Sequence, residues 1–207
     1  MHIAILTFDG FNELDSFIAL GILNRVKRPG WRVALACPTP TVTSMNGVTV
    51  QRQEDLDEAS AADAVIVGSG MKTREVVADA ALMSCLRLDP TRQLVAAQCS
   101  GTLVLARLGL LGDLPACTDL TTKPWVIEAG VRVLDAPFVA HGNVATAGGC
   151  LSSQYLAAWM IARGGSIEDM QAAIHYVAPV GEKAETVERV MSVIAPFLAP
   201  ARAARAG

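Results

Sequence analysis

The stretch Leu94-Val95-Ala96-Ala97-Gln98-Cys99-Ser100-Gly101-Thr102-Leu103-Val104-Leu105 decides the fold. Its first residues form an apolar run of strand length that ends at Gln98. A helical pattern starts at about Gly101, carries Leu103, Val104, Leu105 and Leu108, and stops at Gly109. Almost no residues remain for a loop, so Cys99 must occupy the sharp corner between strand and helix. Small neighbours at Ala97 and Gly101 leave room for such a corner. The pattern is that of a nucleophile elbow with sulfur in place of the hydroxyl. A side chain there stands clear of the sheet, at a helix N-terminus whose unpaired amides favour negative charge. The thiol is therefore expected to be more acidic than a free cysteine. The competing reading is a buried cysteine that packs as a small hydrophobe.

Outward from this corner the chain alternates buried strands with helices. Residues 2–7 read as a strand, followed by the loop Phe8–Asp15 and a helix to about Val26. Trp31–Cys37 reads as the second strand. Thr41–Ser44 and Val48–Val50, joined through Asn46-Gly47, read as a hairpin. Ala64–Val67 is a further buried strand that opens into Gly68-Ser69-Gly70, and one helix is expected from Thr73 to Leu88. Beyond the corner come a very short strand at Ala116–Thr118, a helical segment at Trp125–Ala129, and extended runs at Val131–Leu134, Phe138–Ala140 and Val144–Thr146. Gly148-Gly149 launches a long helix through Arg163, and helices follow at Ile167–His175 and Glu185–Phe197. On the long helix, Tyr155/Trp159 and Leu156/Met160 lie four apart, the spacing of a core face. The expected fold is α/β, a mostly parallel sheet covered by helices on both faces. A single domain is expected over 1–199, with a frayed Ala/Arg-rich tail at 200–207.

Composition narrows the function. The 207 residues carry a formal net charge of −3 and are 52% hydrophobic. No basic stripe points to nucleic acid, and the longest apolar stretch, Tyr155–Ala162, is far too short to cross a bilayer. The N-terminus runs straight into Ile3–Leu6 without a secretory pattern, so a cytoplasmic protein is expected. The five cysteines (Cys37, Cys85, Cys99, Cys117, Cys150) include no C-x-x-C pair, and the three histidines (His2, His141, His175) are scattered. Neither a structural zinc site nor a disulfide framework is expected.

Ligands of open α/β sheets bind beyond the carboxyl ends of the strands. Three loops converge there: Phe8–Asp15, Gly68–Met71 and the Cys99 corner. Asp15 is the best-placed carboxylate, although as a plain helix cap it would need no function; Glu13 and Asp9 compete with it. Beside a thiolate it would tend to stay protonated, because two negative charges in a tight pocket repel. It could then donate to sulfur and later deliver a proton. The Gly70 and Ser100 amides could together form an oxyanion hole. Gly68–Met71 lacks a nucleotide-binding spacing. Cys150, at a helix start after two glycines, is a second candidate reactive thiol, with a packed thiol the favoured reading; His141 could swing toward the site, but in a hairpin turn a surface residue is the favoured reading.

The chain resembles the ThiJ/PfpI family of the class I glutamine amidotransferase-like fold over nearly its whole length. The resemblance is carried by Asp9-Gly10, Leu14-Asp15, Gly68–Gly70, Gln98-Cys99-Ser100-Gly101, Gly109-Leu110-Leu111 and Thr146-Ala147-Gly148-Gly149. Asp15 and the small hydroxyl residue Ser100 look most like the isonitrile hydratase branch. The resemblance implies a flavodoxin-like three-layer sandwich, a homodimer, a small-molecule substrate and no cofactor, with Cys99 as nucleophile and Asp15 as acid/base. Ser100 and Gly70 would supply backbone donors, and Asp119, Thr118 and Gly148 would stand behind them and orient water. Two departures bear on activity. Many relatives place a histidine where this chain has Asp119, and protease-like members place one where it has Ser100, so a Cys-His dyad is missing. Relatives with glyoxalase or deglycase activity usually carry glutamate at the Asp15 position. The resulting expectation is an isonitrile hydratase-like cysteine enzyme, with a thiol redox or stress sensor, or a glyoxalase/deglycase, as alternatives.

Overall fold

The computed structural model describes residues 1–198; the tail expected to fray lies outside the described residues. Strand β1 (His2–Leu6) pairs in parallel with β2 (Arg32–Ala36) on one side and β5 (Ala64–Val67) on the other. The short hairpin of β3 (Thr41–Thr43) and β4 (Thr49–Gln51) forms a separate antiparallel ribbon, as the Asn-Gly signal predicts. Parallel β6 (Leu94–Gln98) follows β5, and β8 (Val144–Ala147) follows β6. The edge is closed by antiparallel β7 (Phe138–His141), giving the order β2-β1-β5-β6-β8-β7.

Strand alternation sorts the core into two layers. Ile3, Ile5, Ala64, Ile66 and Ala96 face one side, and Ala4, Leu6, Val65, Val67, Val95 and Ala97 face the other. The first side is covered by α1 (Glu13–Leu23), α7 (Ser153–Gly164), α8 (Ile167–Val177) and α9 (Lys183–Ile194). On α7, Tyr155, Leu156, Trp159 and Met160 are all buried, and Trp159 packs against Phe138 with ring centroids 6.4 Å apart. The second side is covered by α2 (Leu56–Ala61), α3 (Thr73–Ala78), α4 (Ala80–Cys85), α5 (Gly101–Arg107) and α6 (Lys123–Glu128). The flavodoxin-like sandwich is thus present.

Local differences from the sequence reading have local causes. The single helix expected over Thr73–Leu88 breaks at Asp79, whose side chain accepts from the Leu82 amide (2.9 Å) and caps α4. Helix α2, which hydrophobic periodicity leaves unmarked, is started by a capping box between Asp55 and Glu58. The extended runs at Ala116–Thr118 and Val131–Leu134 meet in one isolated parallel bridge, Ala116 to Val133, rather than as strands. The turn after Gly149 is a 3-10 turn, Cys150–Ser152, that delays the start of α7. His141 ends β7 half-buried instead of lying in the turn. No helix among the described residues is long and apolar enough to cross a membrane.

The approach of α5 to the end of β5 leaves no room for a side chain at Gly101. A Cβ there would lie 2.3 Å from the Val67 carbonyl oxygen and 2.9 Å from that of Gly68. Backbone atoms cannot yield as a flexible side chain would, so Gly101→Ala is expected to destabilise the fold by about 3 kcal/mol. Urea unfolding of the variant against the wild type checks this, and an unchanged midpoint would contradict the packing described.

Candidate active site

Cys99 follows β6 and precedes α5, and among the described residues it is the only non-glycine residue with a positive φ (46°). Such a conformation costs on the order of 1–3 kcal/mol and persists only where surrounding contacts over-determine it. Those contacts are visible. The Cys99 amide donates to the Ala147 carbonyl (2.8 Å), extending the β6–β8 pairing to the corner itself. The Cys99 carbonyl accepts from Thr118 Oγ1 (2.8 Å) and from the Thr102 amide (3.1 Å). Gly148 permits the Thr118 segment to approach, because a Cβ there would lie 2.2 Å from the Thr118 carbonyl oxygen. The elbow read from the sequence is therefore formed, although the thiol is only 4% exposed.

Asp15 is brought to the same place by α1. The role of helix cap is taken by Asn12, whose side chain accepts from the Leu14 amide (3.1 Å). That leaves the Asp15 carboxyl inside the first turn, fully buried. Ser69 Oγ donates to its Oδ2 (2.5 Å), while Oδ1 has no hydrogen-bond partner among the described residues. A carboxylate oxygen of Asp15, Cys99 Sγ and Cys150 Sγ all lie within 4.8 Å of one another. Gln98 Nε2 donates to Cys99 Sγ (3.3 Å) and to the Gly149 carbonyl (2.8 Å), and Asn12 Nδ2 donates to Cys150 Sγ (3.1 Å).

The ionisation of the pair follows the sequence expectation in direction at Asp15 and departs from it at Cys99. Burial lifts the Asp15 carboxyl to about 6, and the hydrogen bonds from Ser69 and from the Ser16 backbone only partly offset it. Burial, followed by the charge of Asp15, also pushes the Cys99 thiol well above its ordinary range, against the stabilising donor from Gln98. The acidic thiol is thus not found. An uncapped helix terminus does not outweigh desolvation plus an adjacent carboxylate.

The oxyanion hole expected from two amides is also altered. The Gly70 amide donates to Ser100 Oγ (3.0 Å), which is itself paired with Thr73 Oγ1 (2.7 Å), so the Gly70 donor is already engaged. The Ser100 hydroxyl, rather than capping α5, ties the Gly70 loop to the elbow. No acceptor for the Ser100 amide, the next amide in the chain after Cys99, is found among the described residues. Gly70 itself admits no Cβ, since one would sit 2.7 Å from the Gly10 carbonyl oxygen.

Asp119 is half-buried, and its Oδ1 accepts from the Thr121 and Thr122 amides (2.9 Å each). It is close enough for its charge to raise the Cys99 thiol. Beside the elbow opens a cleft of about 410 Å³, lined in part by Thr118, Asp119, Lys123, Asp135, Gly148 and Gly149. The three positions expected to orient water thus share one wall. None of the histidines joins them: His2 pairs with Glu54 (2.7 Å), His141 ends β7, and His175 lines a hollow between α8 and α9. Cys150 is the member of the site that the sequence reading set aside; its position two residues past Gly148 was the available signal.

Raising a carboxyl from 3.8 to about 6 couples stability to pH. When both states are protonated, at low pH, the buried Asp15 costs nothing in charge. As pH rises past the unfolded titration and through about 6, the folded state must ionise a desolvated group, and on the order of 3 kcal/mol of stability is lost. Asp15→Asn removes this loss, so its melting temperature relative to wild type should be higher at about pH 7.5 than at about pH 4.5. An unchanged difference across that window would show that Asp15 titrates normally.

With this geometry in place, similarity to known proteins carries specific meaning. Residues 1–163 match the DJ-1/PfpI family. The chain is 28% identical over 148 residues to a deglycase of Thermococcus kodakarensis, covering 69% of this chain and 87% of the relative. A ThiJ/PfpI family protein from Pseudomonas syringae superimposes with a TM-score of 0.76 at 18% identity, over 93% of this chain and 86% of the other. A DJ-1 superfamily protein from Salmonella typhimurium gives 0.73 at 24% identity, over 86% and 98%. The match over most of the chain, and over every strand and corner that builds the site, makes this protein a member of the DJ-1/PfpI family.

Proposed function

We propose that the protein is a cofactor-independent cysteine hydratase for a small neutral electrophile, of the isonitrile hydratase type. The observation that carries this reading is the pairing of Cys99 with a fully buried Asp15 whose carboxyl is lifted to about 6, with no histidine beside them. A general base works best when its pKa lies near the operating pH, and about 6 is such a value. Asp15 takes the thiol proton as Cys99 Sγ bonds to the terminal carbon of the isonitrile, and returns it to that same carbon. The product of this step is a thioimidate. Water, held on the wall formed by Asp119 and Thr118, adds to the thioimidate carbon and loses a proton to Asp15, which delivers it to the imidate nitrogen. Collapse of the resulting carbinol expels Cys99 as Asp15 carries the hydroxyl proton to the departing sulfur, and leaves the N-substituted formamide. The Ser100 amide stabilises charge that develops in the tetrahedral intermediate.

A second reading, a deglycase, is favoured by the name of the Thermococcus kodakarensis relative. There Cys99 would attack a carbonyl-derived carbon and Asp15 would move the same proton. We also propose that the protein works as a homodimer. Leu14, Met71 and Leu151 are exposed and each adjoins a site residue in the chain, an apolar rim suited to a second copy.

Formamide release from an alkyl isonitrile and release of amine from a methylglyoxal adduct, measured in parallel, separate the two readings. Cys99→Ala should abolish the active reaction, and Asp15→Asn should lower it by about 10²- to 10⁴-fold. Because the base must be unprotonated, the wild-type rate should rise with pH through about 6, and this limb should vanish in Asp15→Asn. Turnover that survives in Cys99→Ala would remove the mechanism.

A further inference from the structure

The mechanism above uses one of the two thiols at the site. Cys150 Sγ lies within 4.8 Å of Cys99 Sγ and of the Asp15 carboxylate. All five cysteines are free, but among the described residues only Cys99 and Cys150 share a cluster with a carboxylate. Their exposure is unequal: Cys99 is buried, whereas Cys150 is half-buried. Asn12 Nδ2 donates to Cys150 Sγ and holds that sulfur at the edge of the site. Cys150 also begins the 3-10 turn that follows Gly149, whose φ is +88°. Its side chain is thus carried on a short turn, not locked within α7. The buried Asp15 Oδ1, unpartnered among the described residues, supplies the proton acceptor that a thiol–sulfenate condensation requires.

We propose that Cys99 and Cys150 form a reversible intrachain disulfide driven by hydroperoxides. The Cys150 thiolate attacks the distal oxygen of the peroxide, the O–O bond breaks, and an alkoxide or hydroxide leaves; sulfur is oxidised to the sulfenic acid and the peroxide is reduced. Cys99 then attacks the sulfenic sulfur. Its proton passes through Asp15 to the departing hydroxide, so one S–S bond forms and one water is released. The product ties the strand corner to the start of α7 and removes the nucleophile. It also keeps Cys99 from further oxygen addition, which a reductant would not reverse. This proposal rests on Asp15 serving as proton acceptor for Cys99, but its readout does not depend on turnover of any substrate.

The test is peptide mapping of the wild-type protein after stoichiometric hydrogen peroxide near neutral pH with a chelator present, followed by alkylation of the remaining thiols. The expected result is a Cys99–Cys150 linked peptide, loss of two hydrogens in the intact mass, loss of alkylation at both residues, and full recovery with dithiothreitol. In Cys150→Ser the same treatment should leave Cys99 either unmodified or carrying added oxygen, with no linkage to Cys37, Cys85 or Cys117. A wild-type protein whose Cys99 gains oxygen while Cys150 stays alkylatable would overturn the proposal, as would linkage of either residue to another cysteine. A mapped Cys99–Cys150 bond in a protein whose reduced form shows neither hydratase nor deglycase turnover would overturn the proposed function alone.

Discussion

The close approach of the α5 N-terminus to the ends of β5 and β6 is the constraint on which the rest depends. Gly101 lies against the Val67 carbonyl, so the chain must turn within the space of Cys99 and Ser100, and Cys99 absorbs the turn by adopting a left-handed backbone conformation. Strand pairing to Ala147, together with the Thr118 hydroxyl, holds that conformation from the other side. A residue with a Cβ rarely stays in this region unless its neighbours forbid the alternatives. The strain is therefore maintained by the sheet and not by the loop, which explains why the sulfur is held at a defined point on the carboxyl edge.

Electrostatics at that point follows from burial more than from the helix. A short helix contributes a modest field at its N-terminus, whereas removing a carboxylate and a thiolate from water is costly. Burial consequently lifts the titration of both groups, so above about pH 6 Asp15 carries the negative charge while Cys99 keeps its proton. Ser69 on one Asp15 oxygen and Gln98 on the sulfur bias where that charge sits without neutralising it. Asp15 Oδ1, Ser16 Oγ and Gln98 Oε1 are among the buried polar atoms without a partner among the described residues, and each such group costs stability.

Much of the scaffold was legible because its signals are local. The short apolar runs Ile3–Leu6 and Ala64–Val67, the Asn46-Gly47 turn, and the four-residue spacing of Tyr155 and Trp159 each report an environment through neighbours in the chain. Misreadings arose where a polar residue overrides periodicity. Asp79 ends one helix and starts the next by offering its own acceptor, and Asp55 with Glu58 starts a helix too short to show a face. The candidate site was legible in its two principal members, Cys99 and Asp15, since a corner with no loop and a carboxylate at a helix start are both sequence features.

What the sequence determined by itself was the α/β alternation, the corner at Cys99, and the convergence of three loops on one edge of a parallel sheet, because each follows from chain spacing and side-chain size. Only the tertiary structure decided which donors remain free, that burial raises the Cys99 thiol instead of the helix terminus lowering it, and that Cys150 joins the pair. These depend on distances between segments more than a hundred residues apart, such as the Asn12 contact to Cys150 and the Ser153 hydroxyl bonded to the Asp15 carbonyl. They also depend on how completely water is excluded between such segments. Neither quantity is encoded in local pattern; both emerge when α1, the elbow and the start of α7 close on one another.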